Sequence, residues 1–219
     1  MQILWNTLDC SAWRNARQQY DALILAHAIN QLPEIDTWYA ALPKALKRRQ
    51  PVHATKDEFL EILRWKMKRG DWRETNRQRV LNTDARLIKK TTQEAFAAAR
   101  DLPESIATAS KEFKKPIQIL SELDGVGPAT ASAVLAVYRP DLYPFFDEWI
   151  AKQIPNLGKV VFTPSYYWKY ADALRQKARE LSDVCGAEWN AHEVGQALWV
   201  ESGGKLKLNR IKPQRTQRN

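Results

Sequence analysis

Leu123-Asp-Gly-Val-Gly-Pro-Ala-Thr-Ala-Ser-Ala-Val-Leu135 decides how this chain is read. Just upstream, Ile117, Ile119, Leu120 and Leu123 give a short helix over 116–123 an inward face. Asp124 and Gly125 break that helix. Gly125 and Gly127 can take backbone angles denied to other residues, and they leave no side chain above the turn. Pro128 then opens a second helix, where its missing amide costs nothing. The free amides at such a start carry the positive end of the helix dipole and suit a phosphate oxygen. Ala129, Ala131, Ser132 and Ala133 are small enough to let the two helices approach closely. The predicted hairpin spans 116–138, with Gly125, Val126, Gly127, Ala129 and Thr130 as its phosphate contacts. The plain structural alternative is a tight αα-turn that binds nothing.

Outward from this stretch the pattern is helical. Tyr20, Leu23, Ile24 and His27 recur at helical spacing, as do Phe59, Leu60, Leu63 and Met67. Thr55-Lys-Asp-Glu58 and Thr91-Thr-Gln-Glu94 read as capping boxes at helix starts, and Thr163-Pro164 as a capped start with proline at the first helical position. Most prolines, including Pro43 and Pro116, are expected where one helix gives way to another. The β-branched run at 159–162 is expected to be a loop. The fold class is therefore all-α, with about ten helices.

Among 219 residues, 44% are apolar and nine are tryptophan, which fits a folded chain with a sizeable core. No apolar run approaches the roughly 20 residues of a membrane span, and residues 1–13 lack a secretory layout. Cys10 and Cys185 are too few for a cysteine-rich zinc site or a four-cysteine cluster. Both are expected as inert buried thiols in a reducing, intracellular setting. His27, His53 and His192 show no metal spacing, so neither a metal nor a cofactor is expected. The net charge of +9 is uneven: 44–90 carries fifteen basic and six acidic residues, and 205–219 carries six basic residues and no acid. Two basic surfaces point to a polyanion, nucleic acid first.

The segment Arg64-Trp-Lys-Met-Lys-Arg-Gly-Asp-Trp-Arg-Glu-Thr-Asn-Arg-Gln-Arg79 holds seven cations and two tryptophans. A helical corner at Gly70 and Asp71 can set Lys66, Lys68, Arg69 and Arg73 against phosphates, with Trp65 or Trp72 stacking on a base or wedging into a duplex. The alternative makes both tryptophans core residues and the cations a solvated face. Asp147 follows the apolar approach Pro144-Phe-Phe, twenty residues past Gly127. Read by itself, it is an N-cap aspartate. Read with the phosphate grip, it is an acid held beside whatever the grip positions. Glu148 is a second carboxylate, about 100° further round the helix. Tyr166-Tyr-Trp-Lys-Tyr170 and Ala197-Leu-Trp-Val200 read as core helix faces.

Leu123-x-Gly-Val-Gly-x-x-Thr-Ala131 followed by Asp147-Glu-Trp-Ile150 resembles the helix-hairpin-helix (HhH-GPD) DNA glycosylase superfamily over residues 116–154. The stretch from Trp65 to Arg73 is also similar to one in eukaryotic members of undefined activity that lack an iron–sulfur cluster. The resemblance implies two α-helical lobes around a DNA-binding cleft, within a single domain over 1–202, and a basic flexible tail over 203–219. It implies a monomer that binds duplex DNA with a damaged or mismatched base and hydrolyses its N-glycosidic bond, with Asp147 as the catalytic acid. Ala129 stands where strand-cleaving members carry a lysine, so no Schiff-base nucleophile is available at that position, and the resemblance implies a monofunctional enzyme that leaves an abasic site without β-lyase activity. Trp149 stands where several branches carry His or Asn. The implied location is intracellular, nuclear in a eukaryote, with no membrane and no nucleotide cofactor. Two other readings stay open, a non-catalytic hairpin protein that recognises DNA structure or lesions, and an RNA binder.

Overall fold

A computed structural model describes residues 4–27 and 31–204. Within them the chain is helical throughout, with no strand. A 3-10 turn at Leu4–Asn6 leads to α1 (Cys10–Gln18), α2 (Tyr20–Leu25), α3 (Leu32–Lys47), α4 (Lys56–Arg69), α5 (Glu74–Asn82) and α6 (Ala85–Arg100). Then follow α7 (Lys111–Ser121), α8 (Pro128–Ala136), the single turn α9 (Glu148–Ala151), α10 (Pro164–Cys185) and α11 (Ala191–Ser202). No helix among the described residues is long and apolar enough to cross a membrane. Of the predicted flexible tail over 203–219, Gly203 and Gly204 instead close α11, and residues 205–219 lie outside the described residues.

Local chemistry explains most helix starts. Thr55 and Glu58 form the expected reciprocal cap on α4, and Thr163 with Pro164 opens α10. The second predicted box is not a start. Asp84 caps α6, which runs unbroken through Thr91 to Arg100. Thr92 is instead turned inward, where its hydroxyl accepts from the Ala54 amide at 3.1 Å. Pro43 and Pro116 likewise lie inside helices, not between them. For α7 the reason is a better start upstream: the Ser110 hydroxyl accepts from the Phe113 amide, so the helix begins at Lys111.

One contiguous apolar cluster joins these elements. Its centre is α8, whose nine residues are all buried. A helix of small side chains can be buried all round because neighbours reach its backbone closely. Here α4 and α7 flank it, and the buried Tyr39 hydroxyl donates to the Ala133 carbonyl at 2.7 Å. The aromatic stretches on α10 and α11 are core as expected: Tyr167, Tyr170 and Trp199 are fully buried. His27 is a core histidine that is only half satisfied: its Nδ1 lies 2.7 Å from the Leu23 carbonyl, while its Nε2 is buried without a partner among the described residues.

The cysteines correct the reading of two inert thiols. Cys10 and Cys185 are joined in a disulfide, with a Cα–Cα distance of 5.6 Å. Packing of α1 against α10 and α11 brings the first residue of α1 beside the last of α10. The argument from free thiols to a reducing compartment therefore falls.

Candidate functional site

Three chain segments end around one cavity of about 550 Å³. The α4–α5 corner contributes Lys66, Gly70, Arg73 and Asn76. The start of α8 contributes Gly127, Ala129 and Thr130. The approach to α9 contributes Phe145, Phe146, Asp147 and Trp149, and Phe162 from the following loop closes one side. Its lining mixes aromatic and small side chains with charged ones, and its size suits a small molecule or a single base.

The turn before α8 has the geometry its glycines require. Gly125 sits at φ +79°, and a Cβ there would lie 2.9 Å from both the Arg79 Cβ and the Asn76 carbonyl oxygen. Only glycine meets both conditions. Gly127 differs: it is the N-cap of α8, in extended backbone, and a Cβ would meet nothing within 4 Å. No side chain caps this helix: Pro128 has no amide hydrogen, the amides of Thr130 and Ala131 go to the Gly127 carbonyl, and the Ala129 amide is left at the cavity without a backbone acceptor among the described residues.

Asp147 is the N-cap of α9. Its Oδ1 accepts from the Trp149 amide at 2.8 Å. Its Oδ2 accepts from Arg69 Nη2 at 3.4 Å. Burial pushes the carboxyl above its ordinary range, with the Arg69 guanidinium pulling back towards the ionised form. The segment leading into it is pinned by three buried hydroxyls. Tyr167 donates to the Pro144 carbonyl and Tyr170 to that of Phe145. The Ser132 hydroxyl, on α8, accepts from the Phe146 amide at 3.0 Å. α8 therefore holds the residue before Asp147 through a direct bond. The sequence reading missed all three hydroxyls, and only the burial of their helix faces hinted at them.

Behind the acid lies a buried polar chain. Arg69 Nη1 donates to the Tyr20 hydroxyl at 2.6 Å, and Tyr20 donates to Asp36 Oδ1 at 2.9 Å. Trp65 Nε1 donates to the same oxygen at 2.7 Å. Burial opposes the charge of Arg69, yet Tyr20, Asp147 and Asp36 outweigh it and hold the guanidinium protonated. Trp199 lies over it, its ring centroid 4.4 Å from the guanidinium carbon. Beyond this chain, burial followed by the fields of Arg69 and Arg17 lowers His192 to about 3, so its imidazole is neutral.

Two expectations for the basic segment are overturned. Arg69 is 2% exposed and cannot reach a phosphate backbone. Trp65 is 0% exposed and stacked on Tyr39 with centroids 3.7 Å apart, so it is no wedge. Both point inward because α4 buries Phe59, Ile62, Leu63 and Met67 on the same side. Trp72 is exposed, tied to Glu74 through Nε1, with Lys68 over its ring. Lys68 and Trp72 stand outside the cavity, as do Gly125 and Val126, which form the turn beside it. Lys66 and Arg73 line it. The sequence reading placed neither Asn76 nor Lys152 there. Glu148 lines the cavity and is ion-paired to Lys152.

Among the described residues no group of His, Cys, Asp and Glu is arranged to hold a metal ion. Comparison of the chain with protein-family models, with curated proteins and with solved structures gives no match.

Proposed function

We propose that this chain is a DNA glycosylase, hydrolysing the N-glycosidic bond of a damaged or mismatched base in duplex DNA. One observation carries the reading: an uncapped helix start at Gly127 and the carboxylate of Asp147 face the same cavity and are joined through Ser132. In this reading the Ala129 amide at the start of α8 takes a backbone phosphate, and Arg73 adds positive charge beside it. A base turned out of the stack enters the cavity, where Phe145, Phe146, Trp149 and Phe162 offer aromatic faces. Breaking the base–sugar bond builds positive charge on the sugar. Asp147, ionised and held by Arg69, stabilises that charge and orients a water toward the anomeric carbon.

The test is base release from duplexes bearing deaminated, alkylated, oxidised and mismatched bases. Release from none of them defeats the proposal. The second reading, a non-catalytic hairpin protein that recognises DNA structure or lesions, has its own support. Both oxygens of Asp147 already have partners, which completes a structural role as cap and counter-ion. In that case Asp147→Asn leaves every activity intact.

A further inference from the structure

The hairpin offers the cavity no amine, since Ala129 and Thr130 occupy the start of α8. Two lysines from other elements do line the cavity, and they differ sharply. Lys152 is paired with Glu148 and sits over the Trp149 ring at 4.6 Å. Lys66 comes from the last turn of α4, is half-buried, and has no hydrogen bond or ion pair among the described residues. It faces the space that Asp147 faces. We propose that Lys66 is an amine nucleophile that captures the aldehyde of an abasic site in this cavity and so cleaves the strand after the base has left. This inference rests on the glycosylase reading for the origin of the abasic site.

The environment suits the role. Burial, followed by the neighbouring positive charge of Arg73, lowers the Lys66 ammonium from 10.5 to about 8. About a tenth is then the free amine at pH 7, far more than for an ordinary lysine. The free amine adds to C1′ of the ring-opened sugar, forming a C–N bond while the carbonyl electrons pass to oxygen, which takes a proton. Loss of water gives the iminium. A C2′ proton then passes to solvent, its bonding electrons form the new C=C bond, and the C3′–O bond breaks with the 3′ phosphate as leaving group. Water finally hydrolyses the iminium and returns the amine. No oxidant or metal is needed. Of the acids lining the cavity, Asp147 is paired with Arg69 and Glu148 with Lys152, and Asp71 is the one whose charge opposes the lowering of Lys66.

The experiment treats the full chain with a duplex carrying a preformed abasic site and sodium borohydride, which delivers hydride to an iminium carbon. A covalent protein–DNA adduct is expected, its rate rising with pH to a plateau above about 8. Proteolysis and mass spectrometry should map the adduct to Lys66 in the unmutated chain. Lys66→Arg, which keeps the charge, should lose trapping by roughly a hundredfold or more while still binding the duplex. Absence of an adduct, or its mapping to Lys152 or another amine, overturns the proposal. Because the abasic site is preformed, this outcome is independent of base release. Trapping without base release would sink the glycosylase reading alone, and base release without trapping would sink only the role of Lys66.

Discussion

Arg69 Nη2 lies 3.4 Å from Asp147 Oδ2, with both side chains almost wholly withdrawn from solvent. The pair links the end of α4 to the start of α9 and sets the charge state of the acid. Removing one member of a buried pair leaves the other charge uncompensated, which typically costs about 3–5 kcal/mol. Arg69→Met should therefore lower unfolding stability by an amount in that range, measured by urea denaturation. Arg69→Lys should recover little, because one ammonium cannot serve Tyr20 and Asp147 in the fork that the guanidinium provides.

The same pair predicts a pH dependence. Burial raises the folded-state carboxyl of Asp147 above 3.8, so this group stabilises the fold most below its unfolded value and loses that contribution as pH rises through the raised value. Activity runs the other way, since the ionised form is required. The acid limb of base release should lie above the ordinary carboxylate range. Arg69→Met should move it to still higher pH if the variant folds. A limb near or below 3.8 would contradict the burial argument.

The two hairpin glycines should separate stability from binding. Gly125→Ala forces a Cβ into the left-handed region and against Asn76, at a cost of about 1–3 kcal/mol. Gly127→Ala meets open space and should cost the fold less than Gly125→Ala, about 1 kcal/mol or under as a poorer N-cap. Its methyl group would stand where a phosphate must approach, so duplex affinity should fall. Equal stability losses in the two variants would remove the distinction.

Arg73 is exposed at the cavity rim, its nearest acid Asp71 being 3.9 Å away. Arg73→Ala should weaken binding to any duplex and reduce the slope of log K against log salt by about one. An unchanged slope would mean that the α4–α5 corner does not meet the backbone.

The disulfide closes a loop with a sequence separation of 175 residues. Cys10→Ser should lower stability by about 2–4 kcal/mol relative to the oxidised chain. A thiol reagent should find no reactive cysteine until the protein is reduced. Immediate labelling of both cysteines in the purified, unreduced protein would show the bond is not formed.

What the sequence made legible follows from range. The hairpin glycines, the Thr55 box and the cap at Asp147 are local patterns, and each is set by a few neighbouring residues. Arg69 was not legible because a cation on a basic segment reads as surface. Its burial depends on Tyr20, Asp36 and Trp199, which come from three distant helices. Trp65 stood between two readings, and Asp36 with Tyr39 decides it for the core. Ser132 looked only like a small residue in a close helix pair. Its bond to Phe146 needs the turn between α8 and α9 to fold back. The cysteine pairing required the packing of α1 on α10, which no spacing encodes.

The most direct test of the central claim compares the wild-type chain with Asp147→Asn on the lesion duplexes. The asparagine keeps the acceptor for the Trp149 amide but turns a donor toward Arg69, so some loss of stability accompanies the loss of the ionisable group. The account predicts base release by the wild type, a loss of about a hundredfold or more in the variant, unchanged duplex affinity, and a fold that still melts cooperatively. Equal release by the two proteins would show that Asp147 caps α9 and does no chemistry.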